Sequence, residues 1–466
     1  RVKRDCETCQ TVVPVLQQLA AATDLTVYTQ DDPDFPGDPA AIHDADLAVS
    51  WHHEIETVPT LIKVANREEV DRTFGWLRTA WEQLTGIDGL GEGLPPMRPG
   101  CGSKSVDPDL VDELNVRHGG SVLSSRRIEV ADAEDEIEMM FTRGWTDGLP
   151  VVPPTEQRVL KMLTGTTRAP DEVVATVPPD LVDITVEKVA ISAVMAGCLP
   201  EYLPWVLTAV EAVCNDEFNM HGLLATTMPV APVLVCSGPG TRAIGMNSGI
   251  NALGQGNRAN STIGRALQLI VRNVGGGRPG EVDRAAHGNP AKLSFCFAEN
   301  DTDSPVGTLA GQHGVEPGVD AITVFAGEGP RGMVDQLSRD PESLASSLAA
   351  QLQSIHHHKL VLGFDAILVL SPEHGRVFAE AGWDRDRILF ELHMRLTTPA
   401  ADLERGAGGI AEGIPVGMST ADLPKFRPDG LMLAYTGGGA GLFSSIIPGW
   451  VNGEMGSKPV TREVRY

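Results

Sequence analysis

The stretch Cys6-Glu7-Thr8-Cys9 decides how this chain begins, and Val58-Pro59-Thr60 completes its meaning. Two cysteines spaced C-x-x-C at the mouth of a helix can pass between dithiol and disulfide. Val12, Val13, Val15, Leu16 and Leu19 recur at helical spacing, so an amphipathic helix is expected after the pair. Asp24 to Tyr28 and Ala48 to Trp51 read as strands, Val58 to Val64 as a third, and Glu69 to Leu84 as a closing helix. A thiolate at a helix N-terminus is stabilised by the helix dipole and free N–H groups, which lowers its pKa. Cys6 is therefore the expected attacking sulfur and Cys9 the resolving one. Glu7, inside the motif, works against a thiolate at Cys6.

This order of helix, strand, strand and helix resembles the thioredoxin fold, and Thr57-Val58-Pro59-Thr60-Leu61-Ile62 is similar to that family's cis-proline segment. The resemblance implies a thioredoxin-like domain over residues 1–86. It also implies a cis bond before Pro59, which turns a backbone edge toward the disulfide. The chain departs from the pattern in two places. Only residues 1–5 precede Cys6, fewer than the strand that normally delivers the motif, and Asp5 stands where an aromatic residue is usual. A zinc half-site and a vestigial, inert domain are the alternatives, although no second C-x-x-C accompanies the first.

Composition narrows the partners. A chain of 466 residues suggests several domains, and 42% apolar residues with 50 Gly and 33 Pro fit a turn-rich globular protein. A net charge of −25 argues against nucleic acid and anionic membrane as partners, because both need basic surface. No run approaches the apolar length of a membrane span, and no secretory signal stretch is visible. Seven cysteines are too sparse for a secreted disulfide framework. A cytoplasmic setting with a cellular thiol reductant is the expectation.

Residues 87–125 read as a Gly/Pro-rich linker that carries Cys101, flanked by glycines and accessible to another thiol. Beyond it an α/β module is expected, with one lobe over 126–330 and a second over 331–466. In the first lobe, the apolar strand Val230 to Cys236 precedes a polar, Gly-rich run from Asn247 to Arg265 that opens a helix. Asn260 or Ser261 is the expected N-cap. Such a strand, loop and helix can cradle an anion, so Asn251, Arg258, Asn260, Ser261 and Arg265 are candidate substrate holders, and Asp147 is counted with them. The spacing matches neither a Walker A motif nor G-x-G-x-x-G, and a purely structural crossover is the rival reading. Lys292 to Asn300 reads as a strand ending in Glu299 and Asn300, with Cys296 on one sheet face. The second lobe repeats the plan. Its strand Gly430 to Tyr435 leads into a Gly-rich loop with Gly438, Gly439 and Ser444. A cleft between the two loops is the expected site. His356-His357-His358 cannot share a helix face, and no metal-ligand pattern such as H-E-x-x-H occurs.

The large module resembles the UGSC-type (seleno)protein family. The stretches that carry the likeness are Trp145 to Pro150, Ala193 to Cys198, Arg258 to Ala266, Cys296 to Asn300, Ser371 to His374, Ala381 to Trp383, Gly438 to Gly441 and Gly449-Trp450. The resemblance implies redox or thiol chemistry and names no substrate. The family's U-G-S-C string is absent. The nearest is Cys101-Gly102-Ser103-Lys104, with lysine in place of the second cysteine.

The leading expectation is a thiol-dependent oxidoreductase in which Cys6 and Cys9, next to Pro59, serve a substrate site in the large module. Cys101 or one of Cys198, Cys236 and Cys296 would act as relay. A small anionic molecule is the expected substrate; the sequence requires no cofactor and leaves homo-oligomerisation open. The first alternative is a lyase or hydrolase in which a cysteine attacks a carbon–heteroatom bond and Glu299 or Asp147 donates a proton. The second is a binding protein with a vestigial thioredoxin-like docking domain.

Overall fold

In a computed structural model of the chain, Cys6 ends an extended segment and caps helix α1 (Glu7–Thr11). Residues 1–107, 110–119, 123–126, 128 and 135–466 are described. They form two units, Arg1–Val122 and Leu123–Tyr466, both of mixed α/β structure.

In the first unit a second helix, α2 (Val13–Ala22), follows α1 after a break at Val12, where Pro14 sits in its first turn. Its apolar stripe, Val15, Leu16 and Leu19, faces the core. Strands β1 (Val27–Thr29) and β2 (Ala41–His43) pair in parallel. The segment expected as a strand at 48–51 is instead helix α3 (Ala48–His52). The Asp44 carboxylate accepts the N–H groups of Val49 and Ser50, a cap that the letters of the segment itself do not reveal. Strand β3 (Thr57–Val58) precedes the Val58–Pro59 bond, which is cis.

The helix expected over 69–84 is largely strand. β4 (Thr60–Ala65) and β5 (Glu68–Phe74) form a hairpin. Its turn residues Asn66 and Arg67 both have positive φ, as a type I′ turn requires. After β6 (Trp76–Leu77), only Arg78–Thr85 is helical, as α4. The stretch expected as a linker is built into this unit. β7 (Met97–Arg98) pairs with β6, and β8 (Cys101–Gly102) pairs with β3. Helix α5 (Val111–His118) follows. Cys6, Cys9, Val58, Trp76, Trp81 and Leu90 share one apolar core.

The second unit carries α6 (Glu136–Thr142), capped by Asp135, and α7 (Glu156–Leu163), capped by Thr155. The hairpin β9 (Val173–Val177) and β10 (Val182–Thr185) leads to α8 (Val186–Ala196), α9 (Leu203–Val213) and α10 (Met220–Ala225). A central sheet then begins with β11 (Ala231–Ser237). It continues through α11 (Pro239–Ala243), α12 (Arg258–Asn273), β12 (Cys296–Ala298), α13 (Leu309–Gln312) and β13 (Ala321–Gly327). The second half runs β14 (Arg331–Val334), α14 (Pro341–Gln353), β15 (Phe364–Leu370), α15 (Pro372–Glu380) and α16 (Arg385–Arg395). A small pair, β16 (Thr397–Thr398) with β17 (Leu423–Pro424), precedes β18 (Leu431–Tyr435), β19 (Phe443–Val451) and β20 (Val460–Glu463).

The strand order is β12-β11-β13-β19-β15-β18, with β20 added to β13 and β14 to β19. β11 and β15 each have a parallel partner (β12, β18) and an antiparallel one (β13, β19). The two halves repeat one strand plan and share a single sheet across the boundary expected at 330. They join at Gly327 opposite Gly449. A Cβ on Gly449 would lie 2.6 Å from Phe325 Cζ of β13 and 2.5 Å from the Asp365 carbonyl oxygen of β15, so β19 fits between the two only with glycine there.

The ends of the sheet also come together. Asn300 N–H donates to the Tyr435 carbonyl at 2.8 Å, and the Thr436 hydroxyl donates to that of Ala298 at 2.9 Å. The Gln312 amide fills the gap along β18 by donating to the Leu433 carbonyl at 2.6 Å. Val233, Val235, Phe297, Phe325, Ile367, Val369, Ala434 and Ile447, from all six strands, pack into one enclosed cluster. Strands buried on both faces read as continuous apolar runs, which is why β11, β13, β15 and β18 were legible. Outside the sheet, α8, α9 and α12 carry one core, and α14, α15 and α16 carry another.

Among the described residues, no helix is long and apolar enough to cross a membrane.

Candidate functional site

The first unit gathers three sulfurs. Two hydrogen bonds from the backbone of Arg4 and Asp5 to the Asp31 carboxylate, 2.7 and 2.9 Å, hold the segment that enters Cys6. Cys6 Sγ then lies 3.4 Å from the Cys9 amide nitrogen, 3.5 Å from the Val58 carbonyl oxygen and 2.7 Å from Cys101 Sγ. Pro59 takes part through this Val58 carbonyl at its cis bond.

Cys101 is fixed from several sides. It stands opposite Val58 in the β3–β8 register. Gly100 allows that approach, because a Cβ there would meet Thr57 Cγ2 at 2.3 Å. The Thr8 hydroxyl donates to the Pro99 carbonyl at 2.6 Å, and Arg98 forms an ion pair with Glu7, so α1 is tied to the strand carrying Cys101. On the far side, Gln30 donates to the hydroxyls of Ser50 and Ser103 at 2.9 and 2.7 Å, and Lys104 N–H donates to Gln30 Oε1. Gln30, Gly100 and Ser103 escaped the sequence reading. Their contacts span long separations that no local pattern signals.

The electrostatics separate the three thiols. The Cys6 thiol is pushed down to about 5, foremost by a hydrogen bond from the Cys9 thiol, with help from the Cys101 thiol and the N–H groups of Cys9 and Thr8. These outweigh burial. Burial and the neighbouring Cys6 sulfur push Cys9 far above the ordinary thiol range, and the same two causes raise Cys101. At neutral pH, Cys6 carries the charge and the other two carry protons.

A stability prediction follows. Cys6 is lowered on folding from an ordinary value of 9.0 to about 5. Its contribution to the reduced protein is therefore complete above about 9 and is lost as pH falls to about 5. The difference in unfolding free energy between the reduced native chain and Cys6→Ser should rise across that window in denaturant titrations. A pH-independent difference would contradict the assigned thiolate.

The other expected site residues lie in the second unit, where the loops after β11, β12 and β18 meet. The Gly437 amide and the Thr436 hydroxyl both donate to the Ser248 carbonyl, at 3.1 and 2.9 Å. Gly438 packs against Ile250. The two glycine loops thus touch rather than flank an open cleft. Gly439 has no neighbouring atoms within reach of an added Cβ.

Helix α12 starts at Arg258, and its cap is Asn257, which accepts the Asn260 N–H at 3.0 Å. The expected caps have other tasks. Asn260 is buried and staples the loop by donating to the carbonyls of Asn247 and Ala252. Ser261 offers its carbonyl to the Ser294 hydroxyl. Asn251 donates within its own loop to the Gln255 carbonyl, and Asn300 donates to Asp303. Ser444 is buried beside His374, 2.8 Å away. Arg265 and Asp147, both expected to hold substrate, bind each other through two hydrogen bonds of 2.7 and 2.8 Å. This pair holds the Asp147 carboxyl below its ordinary value, so Asp147 is unsuited to donate a proton. Arg258 is exposed and donates to the Gly197 carbonyl.

Glu299 stands apart. It is 2% exposed; Oε2 accepts the Leu309 N–H at 2.8 Å, and Oε1 has no hydrogen-bond partner among the described residues. Burial pushes its pKa up to about 8. Nearby, the Cys236 and Cys296 sulfurs are 3.7 Å apart in the core, and burial keeps the Cys236 thiol protonated. Burial also raises Cys198, to about 12.

Among the described residues, no group of three or more His, Cys, Asp and Glu is arranged to hold a metal ion. No family model, curated protein or solved structure matches this chain.

Proposed function

We propose that the protein is a thiol–disulfide oxidoreductase whose reaction centre is the sulfur cluster of Cys6, Cys9 and Cys101. The carrying observation is the Cys6 sulfur. It is lowered to about 5, capped by the Cys9 amide and placed 2.7 Å from a second thiol. A thiolate with an adjacent thiol is the minimum apparatus for exchange: one sulfur forms the mixed disulfide and the other releases it. The C-x-x-C on a helix start, the cis bond before Pro59 and the parallel bridge of Val2 to Thr29 support a thioredoxin-like reading of the first unit. Such a reaction needs a cellular thiol reductant, which a cytoplasmic setting would supply.

The test is disulfide reduction by the native chain with a dithiol as electron source, followed by the release of thiol from oxidised glutathione and from an aromatic disulfide. Turnover above the dithiol's own rate is expected. Its absence with both substrates would overturn the reading.

A second reading, a lyase or hydrolase, draws support from Glu299. A buried carboxyl with a pKa of about 8 and one unpartnered oxygen is suited to donating a proton near neutrality. The neighbouring Cys236, buried and protonated, is a poor nucleophile, which favours the first reading.

A further inference from the structure

We infer that Cys101 is the sulfur that meets the substrate disulfide, and that oxidation then moves inward to Cys6 and finally to Cys9. The inference rests on the exchange reading above and reverses the order that the C-x-x-C motif suggests, in which Cys6 attacks first.

Depth is the first argument. Cys6 is 1% exposed and Cys9 0%, both within the apolar core of the unit, whereas Cys101 is partly exposed. A substrate disulfide must reach its attacker along the S–S axis, and a sulfur sealed in a core offers no such approach. Position is the second. Cys101 lies on β8 opposite Val58, with its strand held by Gly100, Thr8 and Arg98, so its sulfur stays beside Cys6 while remaining open to solvent. Charge is the third. The Cys6 thiolate stands 2.7 Å from Cys101 Sγ, already charged to attack a mixed disulfide formed there. Cys6 is thus the nucleophile for the second step.

The steps balance. Cys101 gives its proton to solvent, its Sγ attacks one sulfur of R–S–S–R′, and RS⁻ leaves and takes up a proton from solvent, forming Cys101–S–S–R′. The Cys6 thiolate then attacks Cys101 Sγ. The Cys6–Cys101 disulfide forms and R′S⁻ departs, so the substrate disulfide has gained the two electrons the protein lost. Cys9 then attacks Cys6 Sγ, the Cys9 proton goes to the departing Cys101 sulfur, and the Cys6–Cys9 disulfide remains. Cys101 is again a thiol at the surface. A dithiol reductant restores the centre by the reverse route, entering at Cys101.

The experiment is a quenched time course of the reduced native chain with 5,5′-dithiobis(2-nitrobenzoate) and separately with oxidised glutathione, read by peptide mass mapping. Cys6→Ser, Cys9→Ser and Cys101→Ser are run in parallel. In the native chain, Cys6–Cys101 should appear before Cys6–Cys9. Cys6→Ser should retain the adduct on Cys101. Cys101→Ser should lose the early burst of adduct. The native time course needs no variant, so a misfolded mutant leaves the test intact. A first adduct on Cys6, formed as fast in Cys101→Ser as in the native chain, would overturn this order while leaving the exchange reading standing. No adduct and no disulfide among the three sulfurs, in any chain, would remove both.

Discussion

Cys6→Ser should lower disulfide turnover on the order of 10³-fold or more, to the background of the reductant. The size follows from the number of tasks the atom performs. A thiol lowered to about 5 is almost wholly thiolate at neutral pH, while an ordinary one near 9 is only about 1% ionised. That gain in thiolate is partly offset, because nucleophilicity falls with pKa. The larger benefit is in the reverse direction: a low-pKa sulfur leaves readily, so any disulfide containing Cys6 is easily passed on. A serine hydroxyl forms no disulfide. One encounter can still load Cys101, but nothing releases the product. The native chain should keep its rate of disulfide reduction as pH is lowered until about 5, then lose it as Cys6 is protonated. Steady-state rates across pH, for the native chain and the variant, check both statements. Retained turnover in Cys6→Ser would remove Cys6 from the chemistry.

Phe297→Ala should destabilise the large unit by about 3–5 kcal/mol, the usual cost of emptying a buried aromatic site. Phe297 is fully buried on β12, packed near Phe295 with ring centroids 5.9 Å apart, within the cluster that all six sheet strands share. The seam beside it is held by few bonds, from Asn300, Thr436 and Gln312, so the side chains inside must do much of the closing. An alanine would leave a cavity bounded by two halves of the sheet, and neither half can collapse without the other moving. Against a total stability of roughly 5–15 kcal/mol for a domain, that loss is severe. Denaturant unfolding of the full chain should show a lower midpoint for the large unit. A change below about 1 kcal/mol would mean that the strands do not enclose a common interior.

What the sequence reveals depends on how local the cause is. Cys6, Cys9 and Pro59 were legible because motif and cis-proline segment are each contiguous. The strands β11, β13, β15 and β18 were legible because burial on both faces leaves them almost wholly apolar, with Ser237, Thr323 and Asp365 as exceptions. Helix α3 was misread because five residues are too few for a helical period to show, and its cap comes from Asp44. The β4–β5 hairpin was misread because β5 is mostly exposed and charged, so it lacks the alternation of a half-buried strand. The Gly/Pro stretch after Gly86 reads as a linker in isolation; only its pairing with β3 and β6 reveals that it delivers Cys101 to Cys6. Asp147 and Arg265 were each reasonable substrate ligands taken singly. Standing 118 residues apart in sequence, they satisfy each other in the fold.

The central claim is that Cys6, Cys9 and Cys101 form one exchanging set. Its most direct measurement is a peptide mass map of the native chain after mild oxidation, with all thiols blocked at quench. The account predicts that Cys6 is found disulfide-linked, to Cys101 and to Cys9, while Cys198, Cys214, Cys236 and Cys296 stay as thiols. Recovery of Cys6, Cys9 and Cys101 as free thiols after that oxidation would contradict it.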